Sequence, residues 1–199
     1  MEAERPEAMS RFTDIIDASI AAIESLRGLE EPFDAACAML VESLQNGGKV
    51  MACGNGGSAA DSAHFMTELL CRLDVERPPL AGLALTNDGS FMTAVGNDYS
   101  FDEIFARQVT GLGNEGDVLV GMTTSGNSRN VLRAFEVAKE KGVKTLAMLG
   151  GDGGMIAGLA DVELIVPVAA TARIQEAHKV LIHQICSDVQ EAIFGPLGA

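Results

Sequence analysis

Two segments far apart in the chain carry residues able to hold a metal ion or move protons. In "MACGNGGSAADSAHFMTELL" (51–70), His64 and Glu68 are four positions apart, so on a helix they project from one face. In "RIQEAHKVLIHQ" (173–184), Gln175, Glu176, His178 and His183 follow near the other end, and these two segments hold all three histidines of the 199-residue chain. A histidine–carboxylate set suits zinc coordination or acid–base catalysis. Spacing alone equally suits a surface pair making a modest helix contact. Gln175 and His183 are eight residues apart, which is about 12 Å along an ideal helix. To reach one metal, their side chains must lean together or come from different subunits.

A third segment, "TTSGNS", sets the hydroxyls of Thr123, Thr124, Ser125 and Ser128 around a glycine where a helix is expected to start. Unpaired N–H groups and the positive end of the helix dipole favour an anion there, and a phosphate fits. The alternative, ordinary N-capping by Ser125 or Ser128, needs one hydroxyl rather than four. Gly54, Gly56 and Ala59 also satisfy the G-x-G-x-x-G/A spacing of a dinucleotide loop. That pattern wants an acidic residue at the end of the second strand. Asp74 lies ahead of that strand, and Asp88 comes 34 residues after Gly54, so the dinucleotide reading is weak. Neither a Walker pattern nor a G-x-S-x-G elbow occurs, which removes the usual support for nucleotide hydrolysis and serine-esterase chemistry.

The elements that must position these residues read as α/β. "KVMAC" (49–53), "GLALT" (82–86), "DVLVGM" (117–122), "KTLAML" (144–149) and "VELIV" (162–166) are compact runs, apolar on both faces. Such strands belong in a parallel sheet covered by helices on both sides. Helices are expected near 57–73, 100–112, 127–141 and 173–194, with shorter helical pieces near 88–95 and 153–160. The chain therefore predicts a three-layer αβα sandwich around five parallel strands, as one domain over 1–199. Two further helices, "FTDIIDASIAAIESL" and "FDAACAMLVESLQNGG", fill residues 1–47. They could cover the chain's own sheet or pack against another copy. "KVMACGNGGSAAD" and "DVLVGMTTSGNSRN" are both strand, polar turn and helix start. In a doubly wound sheet such turns sit at the carboxyl ends of strands, and two of them could face one ligand.

Composition narrows the partners. A formal charge of −14 opposes binding to nucleic acid or to an anionic membrane. The opening "MEAERPEAMSRF" is acidic and lacks an apolar signal core, and no apolar run approaches the ~20 residues needed to span a bilayer. A cytoplasmic location is expected. Cys37, Cys53, Cys71 and Cys186 form no C-x-x-C pair and read as small core residues.

In the order "GNGGSAAD", "GNDYSFDEIFARQV", "GDVLVGMTTSGNS" and "RIQEAHKVLIH", the chain resembles the sugar isomerase (SIS) domain proteins of the phosphoheptose isomerase branch. Nearly the whole chain is covered, including the N-terminal helices. The resemblance implies a flavodoxin-like sandwich, a homotetramer with sites at subunit interfaces, and a part in bacterial heptose and lipopolysaccharide synthesis. The implied reaction converts sedoheptulose 7-phosphate to D-glycero-D-manno-heptose 7-phosphate through an enediol. The resemblance also implies that Asn55, Gly56, Gly57, Asn97 and Asp98 contact substrate, and that Thr123, Thr124, Ser125 and Ser128 hold its phosphate. It assigns one zinc per subunit to His64, Glu68, Gln175 and His183, Gln175 also touching substrate, with Glu68 and His183 as the acid/base pair. One departure is visible: Thr123 stands where the family's loop commonly begins with Ser. Two other readings follow from related proteins, a tetrameric adaptor that binds the replication initiator without catalysis, and an isomerase for another sugar phosphate. Retention of Glu68, His183 and the hydroxyl loop argues against the adaptor.

Overall fold

The computed structural model describes residues 12–196, so the acidic opening segment lies outside the described residues. In chain order the elements are helices α1 (Phe12–Glu24) and α2 (Glu30–Gln45), strand β1 (Val50–Gly54), α3 (Gly57–Leu70), β2 (Gly82–Ala84), α4 (Gly89–Asp98), α5 (Ala106–Leu112), β3 (Val118–Thr123), α6 (Arg129–Glu140), β4 (Lys144–Gly150), β5 (Val162–Val166) and α7 (Thr171–Phe194). All strand pairs are parallel, in the order β2-β1-β3-β4-β5. This is the expected αβα sandwich. β1 lies between β2 and β3, so the chain reverses its direction of travel across the sheet there, and a crevice opens beyond the carboxyl ends of β1 and β3.

Alternation along the strands feeds two cores. Val50, Ala52, Val118, Val120, Leu146 and Met148 face α2, α3 and α7 through Leu40, Phe65 and Ile182. Met51, Cys53, Leu119, Ala147 and Leu149 face the layer of α4, α5 and α6 through Val95, Val109 and Phe135. The glycine of β3, Gly121, lets α6 come close: a Cβ there would stand 2.5 Å from Phe135 Cζ.

Several expected boundaries shift. The helix expected over 100–112 is a 3₁₀ turn at Phe101–Glu103 followed by α5, while α4 runs on to Asp98. The piece expected at 153–160 is a single 3₁₀ turn, Gly154–Ile156, because Gly153 and Gly154 take positive φ, 82° and 56°, incompatible with a continuous right-handed helix. At the sheet edge β2 has one neighbour and keeps three residues rather than five. Cys53 and Cys186 are core residues as read, and burial pushes the Cys53 thiol up to about 12, but Cys71 is exposed. Of the N-terminal pair, α2 buries Ala36 and Leu40. α1 buries Ala22 alone and leaves Phe12, Ile15, Ile16, Ile20 and Ile23 exposed.

Candidate active site

The two strand–turn–helix units meet at one cavity of about 250 Å³, lined by Asn55, Gly57, Ser58, Met122, Thr123, Thr124, Ser125, Ser128, Thr171 and Gln175. Close approach puts them there: a Cβ on Gly54 would meet Ser58 O at 2.8 Å and Met122 O at 2.9 Å. The N-terminal ends of three helices, α3, α6 and α7, contribute to the lining. Their N-cap residues Gly56, Ser128 and Ala170 make no side-chain capping bond, and none of the three has an acidic residue in its first turn. By contrast α4 is capped in the ordinary way, with Asp88 accepting from Phe91 N at 2.9 Å. At α3 the N–H groups of Ser58 and Ala59 already bond Asn55 O and Gly56 O, at 3.0 and 3.1 Å. First-turn N–H groups otherwise lack intrahelical acceptors, so the starts of α6 and α7, with the loop hydroxyls, could receive an anion in this polar cavity.

Within the "TTSGNS" loop the hydroxyls are pre-arranged. Thr123 Oγ1 lies 2.9 Å from Ser128 Oγ and 3.5 Å from Ser125 Oγ, and Ser125 Oγ accepts from Asn127 N at 3.2 Å. The sharp turn needs Gly126, which has φ 65° and sits so close to the Gly153–Gly154 peptide that a Cβ would stand 1.8 Å from Gly153 O. Ser128 makes no capping bond to α6 and Ser125 takes one backbone N–H, that of Asn127, so local capping engages one of the four hydroxyls.

The second cluster joins α3 to α7. His64 Nε2 is 2.9 Å from His183 Nε2 and 3.3 Å from Glu68 Oε1. Ligand atoms of His64, Glu68 and His183 all lie within 4.8 Å of one another. Burial, and then the charge of Lys179, hold the His64 pKa below its ordinary value, against the opposing pull of Glu68. A neutral imidazole keeps a lone pair for a metal. Two imidazoles and one carboxylate match the donor set of a three-ligand catalytic site, so these residues could hold a metal ion.

Gln175 is placed with the anion cavity: its Nε2 lies where a Cβ on Gly57 would be 2.2 Å away. Asn97 and Asp98, bonded to each other at 2.8 Å, are exposed at the end of α4 and do not line the cavity. Gly56 is the exposed N-cap of α3. Sequence reasoning missed Ser58 and Thr171, which line the cavity, and Asn130, which is buried and bonded to Asn55. The serine at the start of α3 was in view within "GNGGSAAD", whereas Asn130 carries no local signal.

A SIS domain family model matches residues 11–150. Over 186 residues the chain is 48 % identical to the phosphoheptose isomerase of Shewanella loihica, spanning 92 % of this chain and 93 % of that one. It is 49 % identical over 167 residues to the phosphoheptose isomerase of Helicobacter pylori, spanning 84 % and 87 %. The fold superimposes on a phosphoheptose isomerase structure from Francisella tularensis with a TM-score of 0.87 at 43 % identity, covering 90 % of this chain and 96 % of that one. With this coverage, the chain belongs to the SIS domain family, in its phosphoheptose isomerase branch.

Proposed function

We propose that this phosphosugar isomerase interconverts sedoheptulose 7-phosphate and D-glycero-D-manno-heptose 7-phosphate, for bacterial heptose and lipopolysaccharide synthesis. The observation that carries the reading is the convergence of His64, Glu68 and His183, from opposite ends of the sequence, on the same two helices whose first turns line the anion cavity.

The phosphate occupies the cavity, held by Thr123, Thr124, Ser125 and Ser128 and by first-turn N–H groups. Asn55, Gly56, Gly57 and Gln175 orient the sugar above it. Glu68 takes the proton from C1 of the ketose while His183 supplies a proton to the C2 oxygen, giving the enediol. Glu68 returns its proton to C2, and His183 removes the one on the C1 oxygen, which leaves the aldehyde and restores both groups. Zinc is the proposed metal: His64, Glu68 and His183 would hold it with Gln175 as a fourth ligand, and it would polarise the substrate carbonyl, with His183 exchanging protons through the ring nitrogen, and Glu68 through the carboxylate oxygen, that the metal leaves free.

The assembly proposed is a homotetramer. Its support is the exposed apolar face of α1, Phe12 to Ile23, beside a groove lined by Leu26, Phe33, Val180 and Leu181. Since Asn97 and Asp98 lie away from the cavity of their own chain, their substrate contacts would be made across a subunit interface, as could the Gln175 contribution to the metal. A cytoplasmic location is supported by four unpaired thiols, as expected of a reducing compartment.

Incubation with sedoheptulose 7-phosphate, with and without a chelator, and identification of the product by NMR test the reading. Absence of turnover by the zinc-loaded protein would refute it, and faster conversion of a pentose or hexose phosphate would reassign the substrate. Capture of the replication initiator without isomerase activity would favour the adaptor.

A further inference from the structure

Between α3 and β2, Arg77 is 5 % exposed. Its guanidinium donates to the backbone carbonyls of Glu68 (2.5 Å), Leu69 (2.9 Å) and Pro78 (2.9 Å), and through Nε to Gln190 Oε1 (3.1 Å). The carbonyls of Glu68 and Leu69 belong to the last turn of α3, where acceptors have no intrahelical donor. Gln190, also 5 % exposed, lies on α7 seven residues after His183. All four acceptors are neutral oxygens. The negative end of the α3 dipole offsets the buried charge, and only the planar fork of arginine offers enough donors in fixed directions to reach them all.

We infer that Arg77 and Gln190 are positioning residues for the isomerisation: together they bolt the end of the helix that carries Glu68 to the helix that carries His183. The proposal rests on the reading of those two groups as the proton-moving pair. Elsewhere α3 and α7 meet through apolar side chains such as Phe65, Leu69, Ile182 and Ile185, through the Lys179–Asp61 ion pair at 2.7 Å and through the His64–His183 contact at 2.9 Å. The apolar contacts are non-directional, and both polar ones precede the last turn of α3. Arg77 adds a directional tie at that last turn, where one of its acceptors is the backbone of Glu68 itself. A displacement of about 1 Å between reacting groups can cost roughly 10²-fold in rate.

Gln190→Met preserves volume and leaves Arg77 its three carbonyl acceptors, but strands a buried Nε–H, so thermal unfolding is read beside kcat, while Arg77→Lys keeps the charge and loses the fork. Both are measured in the full-length, zinc-loaded protein, alongside thermal unfolding. In Gln190→Met, kcat is expected to fall about tenfold or more with KM changed less than about twofold, because the phosphate cavity is untouched. On the residual activity of Glu68→Gln, adding Gln190→Met is expected to cost nothing further, since the group being positioned is gone. Folded Gln190→Met and Arg77→Lys with parental kcat would overturn the proposal. So would a Gln190→Met loss repeated in full on Glu68→Gln, the mark of a general structural role. Parental turnover by Glu68→Gln alone would instead remove the underlying reading, and the proposal with it.

Discussion

Asn55 and Asn130, 75 positions apart, exchange two amide hydrogen bonds of 2.9 and 2.8 Å. The ring they form ties the turn after β1 to the first turn of α6, the two segments that build the anion cavity. With one N–H and one oxygen of each amide engaged, the remaining N–H of Asn55 has a fixed direction. Asn130 is 2 % exposed, so Asn130→Leu leaves the Asn55 amide without its buried partner, a cost of about 1–3 kcal/mol. The expected result is a KM for the sugar phosphate raised roughly tenfold or more, with a smaller change in kcat. An unchanged KM in a folded variant would mean that Asn55 does not need this brace.

Ser128 separates binding from stability. As the N-cap of α6 without a capping bond, its hydroxyl contributes little to the helix, whereas a capping serine would cost about 1 kcal/mol on replacement by alanine. Ser128→Ala is expected to keep its melting temperature and to raise KM about tenfold. A lower melting temperature with unchanged KM would return this residue to an ordinary capping role.

Glu68→Gln and His183→Gln preserve shape while removing the proton-moving function; each also replaces a proposed zinc donor, so kcat is compared at matched zinc content. Each is expected to lower kcat by about 10²–10⁴-fold. Glu68→Gln should also stop exchange of the substrate's C1 hydrogen with deuterated solvent, measured by NMR. Exchange at the parental rate would take the carbon-to-carbon transfer away from Glu68.

How far the sequence spoke depends on the range of the interaction. Strand cores such as "DVLVGM" were legible because burial on both faces is written locally, and "TTSGNS" because the hydroxyls and the helix start adjoin. His64 and Glu68 were readable as a pair, since a helix fixes their relation; their meeting with His183, 119 positions from His64, needed the family resemblance or the fold. Arg77 and Asn130 gave no sign. One stands in the loop "VERPP" and the other in an ordinary amphipathic helix, and each matters only through a partner 113 or 75 residues away. The break at Gly153–Gly154 was missed because glycine backbone angles follow from packing against Gly126, a tertiary contact.

His178 should shape acid stability. It is fully buried on α7, donates from Nε2 to Leu149 O at 3.1 Å, and its Nδ1 has no hydrogen-bond partner among the described residues. Burial holds its pKa below the ordinary 6.5, against the raising effects of the Leu149 carbonyl and Asp61. Below that value the unfolded chain takes up a proton that the folded one resists, so stability falls as pH drops from about 6.5 toward the folded-state pKa. His64 shifts in the same direction and adds to the slope. His178→Gln keeps a donor for Leu149 and is expected to flatten the decline between about pH 6.5 and 5 in urea-unfolding measurements. An identical slope would assign the acid sensitivity to other groups.

Metal binding should be coupled to protons at the same site. His64 and His183 face each other Nε2 to Nε2 at 2.9 Å, so without an ion one must donate and the other accept, and full protonation of both would drive them apart. A metal held by His64 and His183 would take the place of that shared proton. Zinc binding therefore competes with proton uptake, and because burial holds the His64 pKa below its ordinary value, its apparent affinity should fall as pH drops through that lowered value. Titration against a chromophoric chelator at several pH values is expected to show that trend, with His64→Ala weakening binding at neutral pH. Because the three ligands span α3 and α7, zinc at about 100 times its dissociation constant should add about 2.7 kcal/mol to the folded state, read as a higher melting temperature that chelation reverses. Turnover should be lost and regained along with it. A protein whose melting temperature and isomerase rate both ignore chelator and added zinc would show that the three side chains serve as a hydrogen-bonded acid–base cluster alone.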